Sequence, residues 1–453
     1  MELTDPLRRT DPTAEPWQTS IAAGRLAQLA SPSLSRRSLF KAAGLGAIAT
    51  VVPLSGCSAS GAGGGVTTIR FEATKVEVVG YFGKLVADFN QQQSGVQVIH
   101  DSTSSLIAQF VRGTPPDLDC DNYNLTTSLF VARGVLTDLA DLPEAKLIDP
   151  NVQALVDQYG SYRGQTSVLP YSITAAGVVY NTDLFEQHGV QVPTTWSQLI
   201  EACETFKSKG VTSIYSTFKD PWTIQQGLFD YISGGVVNVA DFYQQLKAQG
   251  TAAGPDSPVN FQSTFKPAVA KILQLAEYSN PDAASRTYAD GNTAFANGKA
   301  AMYMQGPWAI GEIAKANPQA KVGTFALPAT DNPADTKVRV NLDLALWIPT
   351  STTKKEAATR FLSYLMQPDV MNTYNADNLA FSPVKNAPAV KDQRLAGLEP
   401  YVHAARFYQG AGTYMPNVIP LGNYLQGMVL TKDGDATLRS LDSDWHRLAK
   451  RSV

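Results

Sequence analysis

Residues 169–185 read LPYSITAAGVVYNTDLF, and after a short turn residues 193–209 read PTTWSQLIEACETFKSK. The first stretch is a run of small, β-branched and aromatic residues of the length and composition of a buried strand. Tyr180-Asn181-Thr182-Asp183 ends it with polar turn chemistry. The second stretch sets Leu199, Ile200, Cys203 and Phe206 at helical spacing, with Thr195 or Ser197 as the cap. Strand, polar turn and capped amphipathic helix in that order specify an α/β unit. Taken alone, they specify nothing more.

The same rhythm runs upstream. Residues 67–71 and 96–99 read as strands, separated by a helix over 83–92 that carries Leu85, Val86 and Phe89 and stops at Gly95. A further helix around 106–112 leads through Pro115-Pro116 to a strand over 118–123. Strands alternating with helices predict an α/β domain with a largely parallel sheet.

The N-terminal region follows different rules. Residues 35–57 read SRRSLFKAAGLGAIATVVPLSGC, a basic start, a short apolar run and a small-residue end. That layout is a secretory signal, and its apolar run is too short to cross a hydrocarbon core of ~30 Å. Arg36-Arg37 resembles the twin-arginine export signal, and Leu54-Ser55-Gly56-Cys57 resembles the lipobox of bacterial lipoproteins. Residues 1–56 are thus expected to be leader and signal, with Cys57 the lipid-bearing terminus. Residues 57–65 are rich in Ser, Ala and Gly and read as a flexible tether. Lipid on Cys57 is the expected membrane attachment, since no later run is long and apolar enough to span.

Composition narrows the function. Hydrophobic residues at 44% and aromatics at 9% are enough to build cores. The chain after Cys57 has two-domain length by the prior of ~100–200 residues per domain. A net charge of −3 with no basic patch argues against nucleic acid. Cys120 and Cys203 read as two buried thiols, one on a strand and one on a helix. The four histidines are scattered, so no metal site is expected.

Motifs spread along the chain add a resemblance. Pro170-Tyr171, Tyr180-Asn181, Asp183-Leu184-Phe185 and Thr195-Trp196 lie in the order found in extracellular solute-binding proteins that feed sugars to ABC importers. Residues 295–302 (FANGKAAM) through Gly306-Pro307-Trp308 resemble that family's next element. Residues 341–349 with 355–368, and Met415-Pro416-Asn417, resemble its later ones. The resemblance, to maltose-binding-type members of family 1, implies a two-lobe α/β periplasmic-binding-protein fold with a ligand cleft and a multi-strand hinge. It puts residues 66–174 and 344–388 in one lobe and residues 175–343 and 389–453 in the other. Ile173-Thr174-Ala175 and Ala345-Leu346-Trp347 are its hinge candidates. It implies a monomer that closes on a small-molecule carbohydrate and presents it to permease subunits, with no cofactor and no catalysis.

A sugar has apolar C–H faces and a rim of hydroxyls, so its cleft needs flat aromatics beside fixed polar groups. By the resemblance, Trp308 is the leading stacking residue, its alternative being a core tryptophan, and Trp222 is the second. Asp121 and Asn124 follow the strand after Pro116, with plain strand-edge alternation as the alternative. Glu72, Lys75 and Glu77 follow the first strand, where the family places polar sugar contacts. Asn341 and Asp343 precede the second hinge strand, as ligands or as turn residues. Tyr171 either lines the cleft or packs in the hinge. Tyr424 adjoins the position where the family supplies another aromatic, occupied here by Leu425. Trp196, Trp347 and Trp445 are assigned to the core.

Two other readings stay open. A secreted glycosidase needs two carboxyls ~5–9.5 Å apart, which sequence spacing cannot reveal. The same fold could instead take a polyamine or a glycerophosphodiester; phosphate recognition would call for Arg or helix N-termini.

Overall fold

The computed structural model describes residues 65–75 and 78–451. The export signal, Cys57 and Glu77 lie outside them. Ten strands occur among the described residues: β1 (Thr67–Glu72), β2 (Val96–Asp101), β3 (Leu118–Asp121), β4 (Leu169–Ala176), β5 (Val178–Asn181), β6 (Thr212–Tyr215), β7 (Ala300–Tyr303), β8 (Val322–Phe325), β9 (Val338–Trp347) and β10 (Phe407–Gln409).

β9 organises the molecule. One edge pairs antiparallel with β4 along most of its length, from Leu169↔Leu346 to Ala176↔Arg339. Its other edge changes partner: residues 338–340 pair with β10, and residues 345–347 pair with β3. β3 continues through β1 to β2, completing a six-stranded sheet. A second sheet has the order β6-β7-β5-β8. The fold is the two-lobe α/β type with a hinge region, and β4 and β9 carry the two segments expected to form it. The change of partner falls between Val340 and Ala345. Of the two expected hinge segments, Ala345-Leu346-Trp347 pair with β3 and Ile173-Thr174-Ala175 pair with β9.

The expectation of a largely parallel sheet holds for the strands over residues 67–123 that carried it, while later strands depart from it. β1 pairs parallel with β2 and β3, but β4 and β9 are antiparallel to each other, and β5 is antiparallel to both neighbours. The cause is topological. A chain that leaves one lobe and returns to it must run both ways along the connection.

Gly177 makes the step from β4 into β5. A Cβ there would lie 2.3 Å from the Phe325 carbonyl oxygen, so only glycine lets the strands approach this closely. The expected helix after residue 193 spans Trp196–Ser208, and Thr195 rather than Ser197 caps it, its side chain accepting from the Gln198 N–H. Leu199, Cys203 and Phe206 are buried, with Ile200 half-buried on the same stripe. One core gathers around Phe71, with Phe82 and Phe361 edge-on at 5.5 and 5.1 Å. Another gathers Phe242, Phe261, Phe265 and Trp445. Trp196, Trp347 and Trp445 are buried, and Cys120 and Cys203 are buried free thiols.

Candidate functional site

Hinge strands are packed on both faces, so any opening in them is informative. Within β4 only Thr174 is not buried; within β9 only Asn341 and Asp343 are not. Thr174 and Asn341 are register partners. Residues 339, 341 and 343 share one face of β9 by strand alternation, with Arg339 buried and Asn341, Asp343 and Thr174 forming a partly exposed polar patch. Asn341 Oδ1 has no hydrogen-bond partner among the described residues.

A polar cluster forms where the ends of β1 and β3 meet β9. Lys75, just past β1, places Nζ 2.7 Å from both carboxylate oxygens of Asp343. Thr74 donates its hydroxyl to Asp121 Oδ2, and the Asn122 N–H donates to Asp121 Oδ1 at 2.8 Å. The Asn122 side-chain amide donates to the Asp343 carbonyl. Lys75, Asp121 and Asp343 are thereby linked through Thr74 and Asn122, and Asn341 lies on the same face of β9 as Asp343. Asn124 is exposed on the loop after β3, and its Oδ1 accepts from the Thr127 N–H at 3.2 Å. Deeper lie Glu72 and Asp119, register partners across β1 and β3 and both fully buried. Burial and the Asp101 charge push the Glu72 carboxyl up to about 7. Burial, with Glu72 and Asp121 nearby, holds Asp119 well above the usual carboxylate range.

A second group of candidate residues, on other elements, is aromatic. Trp222 is 37% exposed and meets Tyr288 edge-on, with ring centres 4.9 Å apart. Trp308 is half-buried at the start of helix Pro307–Ala316, and its indole N–H donates to Gln305 Oε1 at 3.2 Å. The Gln305 amide donates in turn to the Thr223 carbonyl at 3.4 Å, so one buried glutamine ties the two tryptophan segments together. Gly306 is the seat of Trp308: a Cβ there would lie 2.2 Å from the indole ring. From the hinge, the Arg339 guanidinium carbon lies 6.0 Å from the Trp308 ring centre, at the outer limit of a cation–π contact. Arg339 is buried, pairs with buried Asp230 at 3.1 Å, and shares it with the Gly412 N–H.

Two expected residues sit elsewhere. Tyr171 is fully buried, packed against Phe82 and Tyr374 with centres 6.0 and 5.3 Å away, so it packs in the core beneath β4. Tyr424 turns to helix Gly434–Arg451, where its hydroxyl donates to Asp444 Oδ2 at 2.6 Å. Leu425 is fully buried. Sequence reasoning missed Thr74, Asn122, Tyr288, Gln305 and Arg339, and took Thr174 only as a hinge residue. The alternation Arg339-x-Asn341-x-Asp343 was the available signal for Arg339. Among the described residues, no group of three or more His, Cys, Asp or Glu side chains could hold a metal ion.

Comparison with known proteins shows the family and agrees with the fold. The chain is 25% identical over 352 residues to the multiple sugar-binding protein of Streptococcus mutans, covering 75% of this chain and 79% of that one. It is 24% identical over 307 residues to the melibiose/raffinose/stachyose-binding protein of Bacillus subtilis, covering 63% and 67%. Among solved structures, apo RafE from Streptococcus pneumoniae superimposes with a TM-score of 0.74 at 22% identity, over 86% of this chain and 99% of RafE. RafE in complex with raffinose gives 0.69 at 22% identity, over 84% of this chain and all of that one. Residues 73–372, well over half of the chain, match the bacterial extracellular solute-binding proteins, and the chain belongs to that family.

Proposed function

We propose that this protein is the lipid-anchored, extracytoplasmic receptor of an ABC importer, capturing a sugar or oligosaccharide by hinge closure and delivering it to the permease. The observation that carries the sugar reading is the pairing of two chemistries about one hinge. Half-exposed indoles at Trp222 and Trp308 suit the C–H face of a pyranose. Asp121, Asn341, Asp343 and Lys75 suit its hydroxyls, the charged groups forming the stronger bonds. The sugar ligands in the names of the Streptococcus mutans and Bacillus subtilis relatives support the same class. In this reading residues 66–174 with 344–388 form one lobe, residues 175–343 with 389–453 form the other, and the protein works as a monomer. Residues 1–56 are removed after twin-arginine export, leaving lipid on Cys57.

A thermal-shift series over mono-, di- and trisaccharides tests the ligand, because a bound sugar stabilises the folded state by mass action, about 2.7 kcal/mol at a hundredfold excess over Kd. A saturable rise in Tm with a sugar is expected. A rise confined to a glycerophosphodiester or a polyamine would overturn the sugar and keep the fold. Cys57→Ser tests the anchor: the variant should leave the membrane fraction and still bind, and retention in the membrane would overturn it.

A further inference from the structure

The segments that carry Trp222 and Trp308 meet at one short turn, Met304-Gln305-Gly306, between β7 and helix Pro307–Ala316. Each residue of the turn has its own contact. Gly227, in the helical run after Trp222, lies against the Met304 carbonyl, where a Cβ would sit 2.2 Å from the oxygen. Gly306 leaves room for the six-membered ring of Trp308. Between them Gln305 is 2% exposed, a burial that costs a primary amide free energy unless its polar ends are engaged.

Both ends are engaged. Gln305 Oε1 accepts from the Trp308 indole N–H at 3.2 Å, and the Gln305 amide donates to the Thr223 carbonyl at 3.4 Å. These bonds fix the amide orientation, because exchanging O and N would set donor against donor at the indole and acceptor against acceptor at Thr223. Thr223 is held in turn, its hydroxyl 2.9 and 2.8 Å from the Thr217 and Asp220 carbonyls. The Asp220 carboxylate accepts from the Tyr288 N–H at 2.6 Å, and Tyr288 is the ring that meets Trp222.

An indole has one hydrogen-bond donor and no acceptor. With that donor taken up by Gln305, Trp308 has only its ring to offer a ligand. The structure assigns to Gln305 the role of a positioning residue, which holds the indole N–H, ties it to the turn carrying Trp222, and leaves Trp308 to meet the apolar face of a sugar by ring contact alone. The assignment rests on the sugar reading proposed above and adds the residue that governs how Trp308 is presented.

A double-mutant cycle tests it, with the full mature chain titrated calorimetrically with whichever of glucose, maltose or raffinose raises its Tm most. Gln305→Leu keeps the volume but frees the indole N–H, and should weaken binding at least tenfold. Trp308→Phe keeps a ring without the N–H and should weaken binding less than Trp308→Ala does. In the Trp308→Phe background, Gln305→Leu should then cost less than threefold, since the bond it breaks is already gone. Equal losses in both backgrounds, or a Trp308→Phe variant as weak as Trp308→Ala, would overturn the assignment. A second measurement needs no ligand. The indole N–H signal of Trp308, identified by its absence from Trp308→Phe, should exchange with solvent at least a hundredfold more slowly than that of free tryptophan. Exchange at the free rate would overturn the assignment whatever the chain binds. A wild-type chain that responds to no sugar overturns the sugar reading instead, and the exchange rate then decides on Gln305 by itself.

Discussion

Lys75 and Asp343 are 268 residues apart in sequence, yet the ammonium of one lies 2.7 Å from both carboxylate oxygens of the other. Both side chains are mostly covered, 22% and 15% exposed. The pair fixes the loop after β1 to the face of β9 that stays partly open. It leaves a carboxylate held in place, with lone pairs to spare for a ligand hydroxyl.

Asp343→Asn should therefore weaken sugar binding by about tenfold or more, since a charge-assisted acceptor becomes a neutral one. The fold should tolerate the isosteric change, because the amide oxygen can still accept from the Lys75 ammonium. Calorimetric titration beside a melting curve separates the two effects. Unchanged affinity would remove Asp343 from the site.

Trp308 gives a graded test. Trp308→Ala should cost about 2 kcal/mol or more in binding, as removal of a central aromatic anchor does. Gly306→Ala keeps the indole but puts a methyl 2.2 Å from it, so the ring must move. Its loss should be intermediate, with a change in the quenching of tryptophan fluorescence on ligand addition. Wild-type affinity in Trp308→Ala would return this residue to the core.

Much of this was legible in the sequence because it is local. The strand–turn–helix at residues 169–209, the cap at Thr195 and the Gly306-Pro307-Trp308 turn each follow from neighbours in the chain. Tyr424 shows where local reading fails. One residue turns a helix by about 100°, and that rotation gives Leu425 the core and Tyr424 the terminal helix. The antiparallel hinge was hidden for another reason. β4 and β9 meet across more than 160 intervening residues, and no periodicity in either strand names its partner. Lys75 and Asp343 met for the same topological reason, through the pairing of β3 with β9 and of β1 with β3.

Arg339 and Asp230 form a buried ion pair beside the Trp308 ring, so its two halves should respond asymmetrically. Arg339→Met leaves Asp230 buried with only the Gly412 N–H to hold its charge, and should destabilise by about 3–5 kcal/mol. Adding Asp230→Asn removes that stranded charge and should recover a large part of the loss. Denaturant unfolding of the single and double variants measures both. A double variant no more stable than Arg339→Met would mean that packing, not charge, sets the cost.

Glu72 and Asp119 predict how stability varies with pH. Both carboxyls are fully buried and raised, Glu72 to about 7 and Asp119 well above its usual range. The folded chain therefore holds protons that the unfolded chain has released above pH ~4, where free carboxyls ionise. Stability from these groups is complete on the acid side and declines as pH rises through ~4 to 7, the unfolded state binding fewer protons over that interval. Glu72→Gln keeps an acceptor oxygen where the Gln109 amide now donates and removes the titration. The difference in stability between Glu72→Gln and wild type should grow in favour of the variant from pH 5 to 7 and then level off, by about 1.4 kcal/mol for each unit crossed. Subtracting the two curves cancels the titrating groups remote from Glu72 and leaves its own titration with that of neighbouring Asp119, so a difference flat across that interval would show that Glu72 ionises near its free value and that burial is not what governs it.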